Sequence, residues 1–226
     1  MEAFVDAFAF MADNAGMLLD KTGEQLWLSA VAIGISLLIG VPVGLWLGHI
    51  HKGEFLAVSL TNIGRALPSL ALIAIFIGLV GIGFTNVLLA LVILAVPPIM
   101  SYTFVAIDSV DRDLTRAGRG MGLSPWQILL RIEIPLGLPM AFSGIRTAVV
   151  LVVSSATLAT VAGGGGLGDI ILNQVAYGMR GVIAAALWVA ALSILADLLV
   201  AGLLRLIAPA GVRRLAAPST SAPAAT

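Results

Sequence analysis

Residues 108–139 read DSVDRDLTRAGRGMGLSPWQILLRIEIPLGLP and form the one long polar interruption of an otherwise apolar chain. The pattern predicts two short helices joined by a turn. Asp111 and Asp113 suit the first turn of a helix, where carboxylates meet the positive end of the helix dipole. Gly120 and Gly122 can adopt the left-handed conformation that commonly ends a helix.

The second short helix of this insert has a complete start signal. Ser124 suits the N-cap position, Pro125 fits the first helical position, and Gln127 completes a capping box. Pro135 is expected to end the helix, because it has no N–H to donate and its ring clashes with the preceding turn. The insert is therefore either a solvated loop between membrane helices or a preformed docking surface for a soluble partner.

The composition is that of an integral membrane protein. Of the 226 residues, 60% are hydrophobic and only 11% are charged, with a mean hydropathy of +1.09. A soluble domain carries about 25% charged residues, so this chain could not cover its own surface in water. The absence of cysteine excludes a disulfide framework and a thiolate metal site, and no metal site is expected.

Five regions are candidates for membrane helices, each of which needs about 20 largely apolar residues. They are 26–47, 66–80, 87–107, 138–162 and 182–207. In the third region, the adjacent Pro97 and Pro98 are expected to kink or break the helix. The predicted fold class is therefore an all-α polytopic membrane protein with about five core transmembrane helices.

Two flanking segments complete the predicted organisation. Residues 1–25 form an external or interfacial segment, in which Phe4, Phe8 and Met11 recur at the spacing of a short amphipathic helix. Residues 208–226 are rich in Ala, Pro, Ser and Thr and are expected to form a disordered cytoplasmic tail. The transmembrane domain is then 26–207, with the insert 108–139 inside it.

The distribution of positive charge predicts the orientation of the chain. With five spans, only Lys21 and Arg180 fall on one side of the membrane. The other ten cationic residues fall on the opposite side: Lys52, Arg65, Arg112, Arg116, Arg119, Arg131, Arg146, Arg205, Arg213 and Arg214. This bias predicts an external N-terminus, a cytoplasmic C-terminus and a cytoplasmic insert.

The insert resembles the cytoplasmic coupling loop of ABC-importer permeases. That loop reads Glu-Ala-Ala, three residues, Gly, nine residues, then Ile-x-Leu-Pro. This chain has Arg116-Ala117-Gly118, then Gly122, then Ile132-Glu-Ile-Pro135, so the spacing matches. Arg116 stands where the family has Glu, Gly118 stands for Ala and Ile134 stands for Leu. The pairing role of the family's Glu therefore does not carry over to Arg116.

The resemblance implies the type I ABC importer permease fold with a helix-turn-helix coupling loop. It also implies a separate ATPase subunit that would hold ATP and Mg, a second permease subunit (identical or paralogous), and an extracytoplasmic solute-binding protein. The chain itself would lie in the lipid bilayer of the bacterial inner membrane, with no nucleic-acid partner. Met121 and Trp126 would be apolar anchors for a groove on the ATPase. The ATPase-coupling candidates are Arg116, Ala117, Gly118, Met121, Gly122, Ser124, Pro125, Trp126, Ile132 and Pro135.

A second resemblance concerns the residues after the fourth predicted span. Gly-Gly-Leu-Gly-Asp169, together with Arg65-Ala-Leu-Pro-Ser-Leu-Ala-Leu72, is similar to the osmoprotectant permeases of the glycine betaine, choline, carnitine and proline type. The glycine run is either a tight outer turn or a gate at the outer mouth. The small polar run 154–160 either lets helices approach closely or lines the pathway. The pathway and gate candidates are Pro68, Ser69, Ser154, Ser155, Thr157, Gly163, Gly164, Gly165, Gly166 and Asp169.

Several ionisable residues have both a structural and a functional interpretation. Asp197, inside the fifth predicted span, is favoured as a helix-packing partner or a side chain reaching the cytoplasmic half, over a place on the solute path. Arg146 is expected to extend towards the cytoplasmic headgroups. His49 and His51 are expected to be solvated surface side chains.

The predicted function is the permease subunit of an ATP-driven importer of compatible solutes, with no enzymatic activity of its own. The main alternative is an ABC permease for another small solute, such as an amino acid. A secondary transporter is a more distant alternative, and would be expected to show paired charges inside the membrane or an inverted repeat. The Gly-x-Gly-x-x-Gly pattern at 163–168 follows a membrane helix rather than a strand, so no nucleotide site is expected there.

Overall fold

The computed structural model describes residues 2–53 and 68–207, with Phe55 and Ser59 between these ranges. The predicted tail 208–226 and the residues Arg65–Leu67 lie outside the described part. Every regular element within it is helical. The helices are α1 (Glu2–Asp13), α2 (Ala15–His49), α3 (Ser69–Val80), α4 (Phe84–Asp108), α5 (Arg112–Gly120), α6 (Pro125–Ile128), a π-helical segment (Leu129–Glu133), α7 (Ile134–Ser155), a 3-10 segment (Ala156–Ala162), α8 (Gly168–Ile171) and α9 (Gln174–Ile207).

Four helical stretches of the described chain are long and apolar enough to cross a membrane. They are α2, α4, the continuous stretch Pro125–Ala162, and α9, while α3 is a shorter apolar helix of 12 residues. The prediction of an all-α polytopic membrane protein is thereby confirmed. The helix α2 begins at Ala15, eleven residues before the predicted start. The helix α4 runs through Pro97 and Pro98 without a break.

Small residues of α2 allow this helix to lie directly against α4. Gly40, Gly44 and Gly48 recur every four residues and are all buried. A β-carbon added to Gly44 would lie 2.7 Å from the carbonyl oxygen of Met100, and one added to Gly48 would lie 2.7 Å from the β-carbon of Ile107. Close approach of this kind, through small residues spaced by four, is a common way for membrane helices to associate.

The main apolar core lies where α2, α3, α4 and α7 meet. Gly137 of α7 permits a similarly close contact with α4, since a β-carbon there would lie 2.6 Å from the carbonyl oxygen of Ala106. The largest buried core side chains come from four helices: Leu28, Leu72, Ile73, Leu91, Leu94, Ile99 and Val152. These contacts join the helices on either side of the polar insert into one packed unit.

The N-terminal helix α1 packs against α9 rather than standing apart. Its Ala7 and Phe10 are buried with Ala184 of α9, and the ring of Phe10 meets that of Tyr177 edge-on, with the ring centres 6.4 Å apart. The helix predicted from the sequence is therefore present. Phe4 and Phe8, however, are exposed and lie away from the contact with α9.

The fourth span changes its helical form near its end. After Ser155 the chain tightens into the 3-10 segment, in which Ala156, Ala159 and Ala162 are fully buried. Their spacing of three matches the three residues per turn of a 3-10 helix, so one row of alanines packs against the core. Gly163, with a φ of +69°, then ends the segment in a left-handed conformation that suits glycine.

Candidate functional site

The first half of the insert folds as its sequence predicts. The helix α5 is capped by the side chain of Asp111, which accepts a hydrogen bond of 2.8 Å from the backbone N–H of Asp113. Gly122 has a φ of +83°, and beside it the backbone N–H of Leu123 donates to the carbonyl of Gly118 at 3.1 Å. The predicted left-handed turn is therefore present at Gly122. Gly120 remains helical as the last residue of α5.

The second half begins with the predicted capping box. The backbone N–H of Gln127 donates to the Ser124 hydroxyl at 3.3 Å, and the backbone N–H of Ser124 donates to the Gln127 side-chain oxygen at 2.8 Å. Pro125 occupies the first turn, where its missing N–H leaves no bond unmade. These interactions fix the start of α6 within the insert itself.

The prediction that Pro135 ends this helix is wrong. The chain passes from α6 through the π-helical segment Leu129–Glu133 directly into α7, and Pro135 lies in the first turn of α7. The backbone N–H of Ile134 donates to the carbonyl of Leu129, five residues back. The helix accommodates a residue that cannot donate by changing its hydrogen-bond register rather than by ending. The second half of the insert is consequently continuous with a membrane-spanning helix.

The two halves of the insert pack together at Gly118. This residue is buried, and a β-carbon added to it would lie 2.8 Å from Cδ1 of Ile132 and 3.5 Å from Cδ1 of Leu123. Arg116, in contrast, faces solvent and forms an ion pair of 3.2 Å with Asp113, one turn earlier. An exposed pair of this kind adds little stability. Gly118 and Ile132 thus hold the insert together, whereas Arg116 and Ala117 lie on its outer surface.

The outer surface of the insert carries apolar side chains. Met121 is 75% exposed and Trp126 is 66% exposed. Leu114 and Leu130 are also exposed, although neither was predicted from the sequence as a surface anchor. Leu130 lies one helical turn after Trp126, so helical spacing could have identified it. Large apolar side chains on an otherwise polar projection are typical of a surface that a partner covers.

Two histidines at the end of α2 tie both ends of the insert to the rest of the protein. Nδ1 of His49 lies 2.6 Å from Oε2 of Glu133, which is only 2% exposed. Nδ1 of His51 lies 2.8 Å from Oδ1 of Asp108. The expectation of solvated histidines is therefore wrong, because each imidazole meets a carboxylate that is distant in sequence. The insert is held at its first residue, Asp108, and again at Glu133, where the π-helical segment ends.

A cavity of about 880 Å³ opens between α3, α4, α7 and α9. Two charged side chains meet at its wall: Nε of Arg146 donates to Oδ1 of Asp197 at 2.8 Å, and Nη2 donates to Oδ2 at 2.6 Å. Arg146 therefore turns to Asp197, and the expectation that it extends to the headgroups is wrong. Asp197 is a helix-packing partner, as favoured, and it lines the cavity as well. The polar lining is completed by Ser69, Ser143, Thr147, Ser154 and Ser155.

The structure brings only some of the pathway candidates together. Ser69, Ser154 and Ser155 line the cavity, whereas Pro68, Thr157 and the glycine run are not part of its wall. Ser143 and Thr147 also line the cavity, although neither was predicted from the sequence. Ser143, Thr147 and Ser154 follow one another on α7 at intervals of four and then seven residues, which places them on one face of the helix. Following that face from Ser154 towards the N-terminus would have identified the other two.

The glycine run forms a tight turn held by α2. Gly165 and Gly166 have φ angles of +71° and +94°. The backbone N–H of Gly166 donates to Oε2 of Glu24 at 2.8 Å, and the backbone N–H of Leu167 donates to Oε1 of Gln25 at 3.1 Å. A β-carbon on Gly165 would lie 2.6 Å from the Glu24 carboxylate. The glycines are needed here both for their φ angles and for this close approach.

The remaining members of this outer cluster are charged or closely packed. Nζ of Lys21 lies 2.7 Å from Asp169 and 2.9 Å from Glu24, so one cation joins α2 to Asp169 in the first turn of α8. Gly163 and Gly164 pack at the end of the 3-10 segment, where a β-carbon on Gly164 would lie 2.8 Å from that of Ala159. The gate candidates therefore form a cluster separate from the cavity.

Comparison with known proteins agrees with this architecture. Residues 40–210 match the family model described as "Binding-protein-dependent transport system inner membrane component". The chain is 37% identical over 205 residues to the glycine betaine/carnitine/choline transport system permease protein OpuCB of Bacillus subtilis, covering 90% of this chain and 94% of that protein. It is 38% identical over 218 residues to the osmoprotectant import permease protein OsmW of Salmonella typhimurium, covering 92% of this chain and 100% of that protein.

The fold is also that of a solved transporter. An inward-facing structure of the MetNI methionine ABC transporter matches with a TM-score of 0.72 at 22% identity, over 85% of this chain and 96% of that one. Arg146 of α7 and Asp197 of α9 form a charged pair between two membrane-spanning helices, and paired charges inside the membrane were expected of a secondary transporter. The family match shows that this feature does not separate the two classes. The chain is a multi-pass inner-membrane permease and belongs to the binding-protein-dependent transport system inner membrane components.

Proposed function

We propose that this chain forms the solute pathway of an ATP-driven importer of compatible solutes, of the glycine betaine, choline, carnitine or proline type. The names of its relatives support this cargo, since OpuCB and OsmW are described as glycine betaine/carnitine/choline and osmoprotectant permeases. The observation that carries the coupling role is the insert: a rigid, capped projection with exposed apolar side chains that is continuous with α7.

The importer needs further subunits. A separate ATPase binds ATP and Mg and docks on the insert, so the chain has no enzymatic activity of its own. A second permease subunit, identical or paralogous, completes the pathway, and an extracytoplasmic solute-binding protein delivers the solute. The domain boundaries follow this division: an external or interfacial segment 1–25, the transmembrane domain 26–207 with the coupling loop 108–139, and a cytoplasmic tail 208–226.

The proposed orientation places the N-terminus outside and the C-terminus in the cytoplasm. Lys21, beside the glycine run, and His49, beside the insert, lie 28 residues apart on the single helix α2. At 1.5 Å per residue this separation is about 42 Å, close to the full thickness of a bilayer with its headgroups. The two clusters therefore suit opposite membrane surfaces. The bias of the cationic residues supports a cytoplasmic insert.

Coupling follows from how the insert is attached. Its last turn runs into α7 without a break, and its ends meet His49 and His51 of the α2 end. A displacement of the insert by the ATPase therefore moves α2 and α7 together. ATP binding favours the closed form of the ATPase dimer, and a docked insert transmits that preference to the pathway by differential binding. The glycine run 163–166, together with Asp169, serves as the outer gate in this scheme.

A pair of tryptophan substitutions tests the coupling role. The gene for this chain is deleted in its source cell and replaced by wild type, Trp126→Ala or Trp46→Ala. The two residues are 66% and 63% exposed, but Trp46 belongs to α2 and lies outside residues 108–139, in a part of the chain where no anchor for the ATPase is proposed. Loss of an aromatic anchor costs at least about 2 kcal/mol of binding, or about 30-fold in affinity for the ATPase. Trp126→Ala is expected to lose ATP-dependent uptake of labelled glycine betaine, whereas Trp46→Ala retains it.

The same cells separate the alternative cargoes. Uptake of labelled glycine betaine, choline and methionine is measured in the wild type and in the deletion strain. Loss of methionine uptake alone on deletion would favour an amino-acid permease. Uptake that persists after the ATPase gene is removed would favour a secondary transporter and would overturn the coupling role of the insert.

A further inference from the structure

The charged pair Arg146–Asp197 lies on the wall of the cavity as well as between two helices. We propose that Arg146 and Asp197 form a binding subsite for zwitterionic solutes, that is, solutes with one cationic nitrogen and one carboxylate. This inference rests on the proposed function, because it names the chemistry by which the pathway distinguishes among compatible solutes.

Both residues lie inside the membrane-spanning part. Asp197 is ten residues before the end of α9 at Ile207, and Arg146 is seven residues after Pro139, where the insert ends. These separations are about 15 Å and 10 Å along the helix axes, so both residues fall within a hydrocarbon core of about 30 Å. A single charge at this depth costs several kcal/mol, and charged residues in membrane spans mark solute pathways. The pair is neutral as a whole.

The pair is also accessible from the cavity. The Arg146 side chain is 40% exposed and the Asp197 side chain is 27% exposed, so the ion pair is not enclosed between the helices. The cavity volume of about 880 Å³ falls within the usual range for small-molecule sites, which is about 300–1,000 Å³. A small solute can therefore reach both charges at once.

The hydroxyl groups around the pair cannot replace it as charged partners. Ser143, Thr147 and Ser154 each donate a hydrogen bond to the carbonyl four residues earlier, at 3.1, 2.9 and 2.7 Å. Their single donor is thus occupied, and their oxygen lone pairs remain. Such oxygens suit the positive end of a solute but cannot neutralise a carboxylate. Among the described residues that line the cavity, Arg146 is the one with a guanidinium or ammonium group.

A zwitterion can replace both halves of the existing interaction. Its carboxylate accepts the two parallel N–H bonds of Arg146, and its cationic group lies against the Asp197 carboxylate. No charge is left without a partner, so the exchange is nearly balanced and the site stays weak enough to release the solute. A cation without a carboxylate, such as choline, contacts Asp197 but leaves Arg146 unpaired. The pair therefore favours zwitterions over simple cations.

The test is the ratio of choline uptake to glycine betaine uptake by the complete importer in cells. Arg146→Gln removes the charge that choline leaves unpaired, so the ratio is expected to rise about tenfold, in line with the loss of one hydrogen-bonded charge. Asp197→Asn removes the partner of the cation, so the ratio is expected to fall. Arg146→Lys keeps the charge and is expected to keep the ratio close to wild type. The solute-binding protein is the same throughout, so its own selectivity cancels.

A purely structural ion pair would give a different result. Both solutes would then lose uptake in the same proportion in each variant, and an unchanged ratio would overturn the subsite. If a single substitution prevents assembly, the double variant Arg146→Gln with Asp197→Asn is used instead, because it leaves no unbalanced charge. This variant is expected to lose the discrimination against choline. A wild-type ratio of choline to glycine betaine uptake in this variant would overturn the proposal. A wild type that imports neither solute refutes the proposed cargo together with the subsite. A wild type that imports choline but no zwitterion refutes the subsite alone.

Discussion

The contact between Gly118 and Ile132 offers a quantitative test of the insert as a rigid coupling element. The substitution Gly118→Val adds a β-carbon that lies 2.8 Å from Cδ1 of Ile132. It also adds two methyl groups beyond that β-carbon. Cδ1 of Ile132 is the end of a flexible side chain and can move aside, but the added β-carbon also lies 3.5 Å from Leu123 and 3.6 Å from Ile128, which leaves no room for the two methyl groups. Inserting methyl groups into a packed contact of this kind costs about 1–3 kcal/mol. Gly120→Val is the matched control, because it makes the same chemical change two residues later, where an added β-carbon meets nothing within 4 Å.

The overpacked contact is expected to separate the two halves of the insert. A cost of about 1–3 kcal/mol corresponds to a change of about 5–150-fold in the balance between the packed and the opened insert. The measurement is the number of solute molecules imported per ATP hydrolysed, in proteoliposomes that contain the complete transporter. Gly118→Val is expected to lower this ratio by at least about fivefold, while Gly120→Val leaves it near the wild-type value. Equal effects of both substitutions, at equal amounts of assembled transporter, would refute the argument.

Two further predictions concern the clusters at either end of α2. Replacing Glu133 by Ala leaves His49 without its carboxylate and opens a void at the base of the insert, so the melting temperature in detergent is expected to fall by the equivalent of about 1–3 kcal/mol. Adding His49→Ala to the Glu133→Ala variant should cost less stability than His49→Ala costs in the wild type. Full additivity of the two losses would show that the two side chains do not interact. Gly168→Ala forces a β-carbon against the backbone carbonyl of Thr157, which cannot rotate away, so the assembled amount is expected to fall sharply. Gly34→Ala meets nothing within 4 Å and is its control, and equal assembly of the two variants would contradict the close packing of the glycine cluster.

Local signals in the sequence correctly predicted the parts of the protein that depend on neighbouring residues. The caps at Asp111 and Ser124 and the left-handed turn at Gly122 each involve groups within a few residues, so their chemistry can be read from the chain itself. The apolar runs likewise predicted four helical stretches that are long enough to span a bilayer, because their length is set by its thickness; the fifth run, 66–80, gives only the 12-residue helix α3 in the described part of the chain. Pro135 is the exception, since the rule that proline ends a helix overlooks the π-helical register that carries the chain through it.

Composition, spacing and local capping were thus sufficient to determine the class of protein, the approximate positions of its helices, and the caps and turn of the insert. Only the tertiary structure paired His49 with Glu133, 84 residues away, and Arg146 with Asp197, 51 residues away. A single sequence carries no periodic or local signal for such pairs, because their partners meet only after the helices have packed. The positions of the charges inside the membrane were readable beforehand; what they neutralise was decided by which helix faces came together.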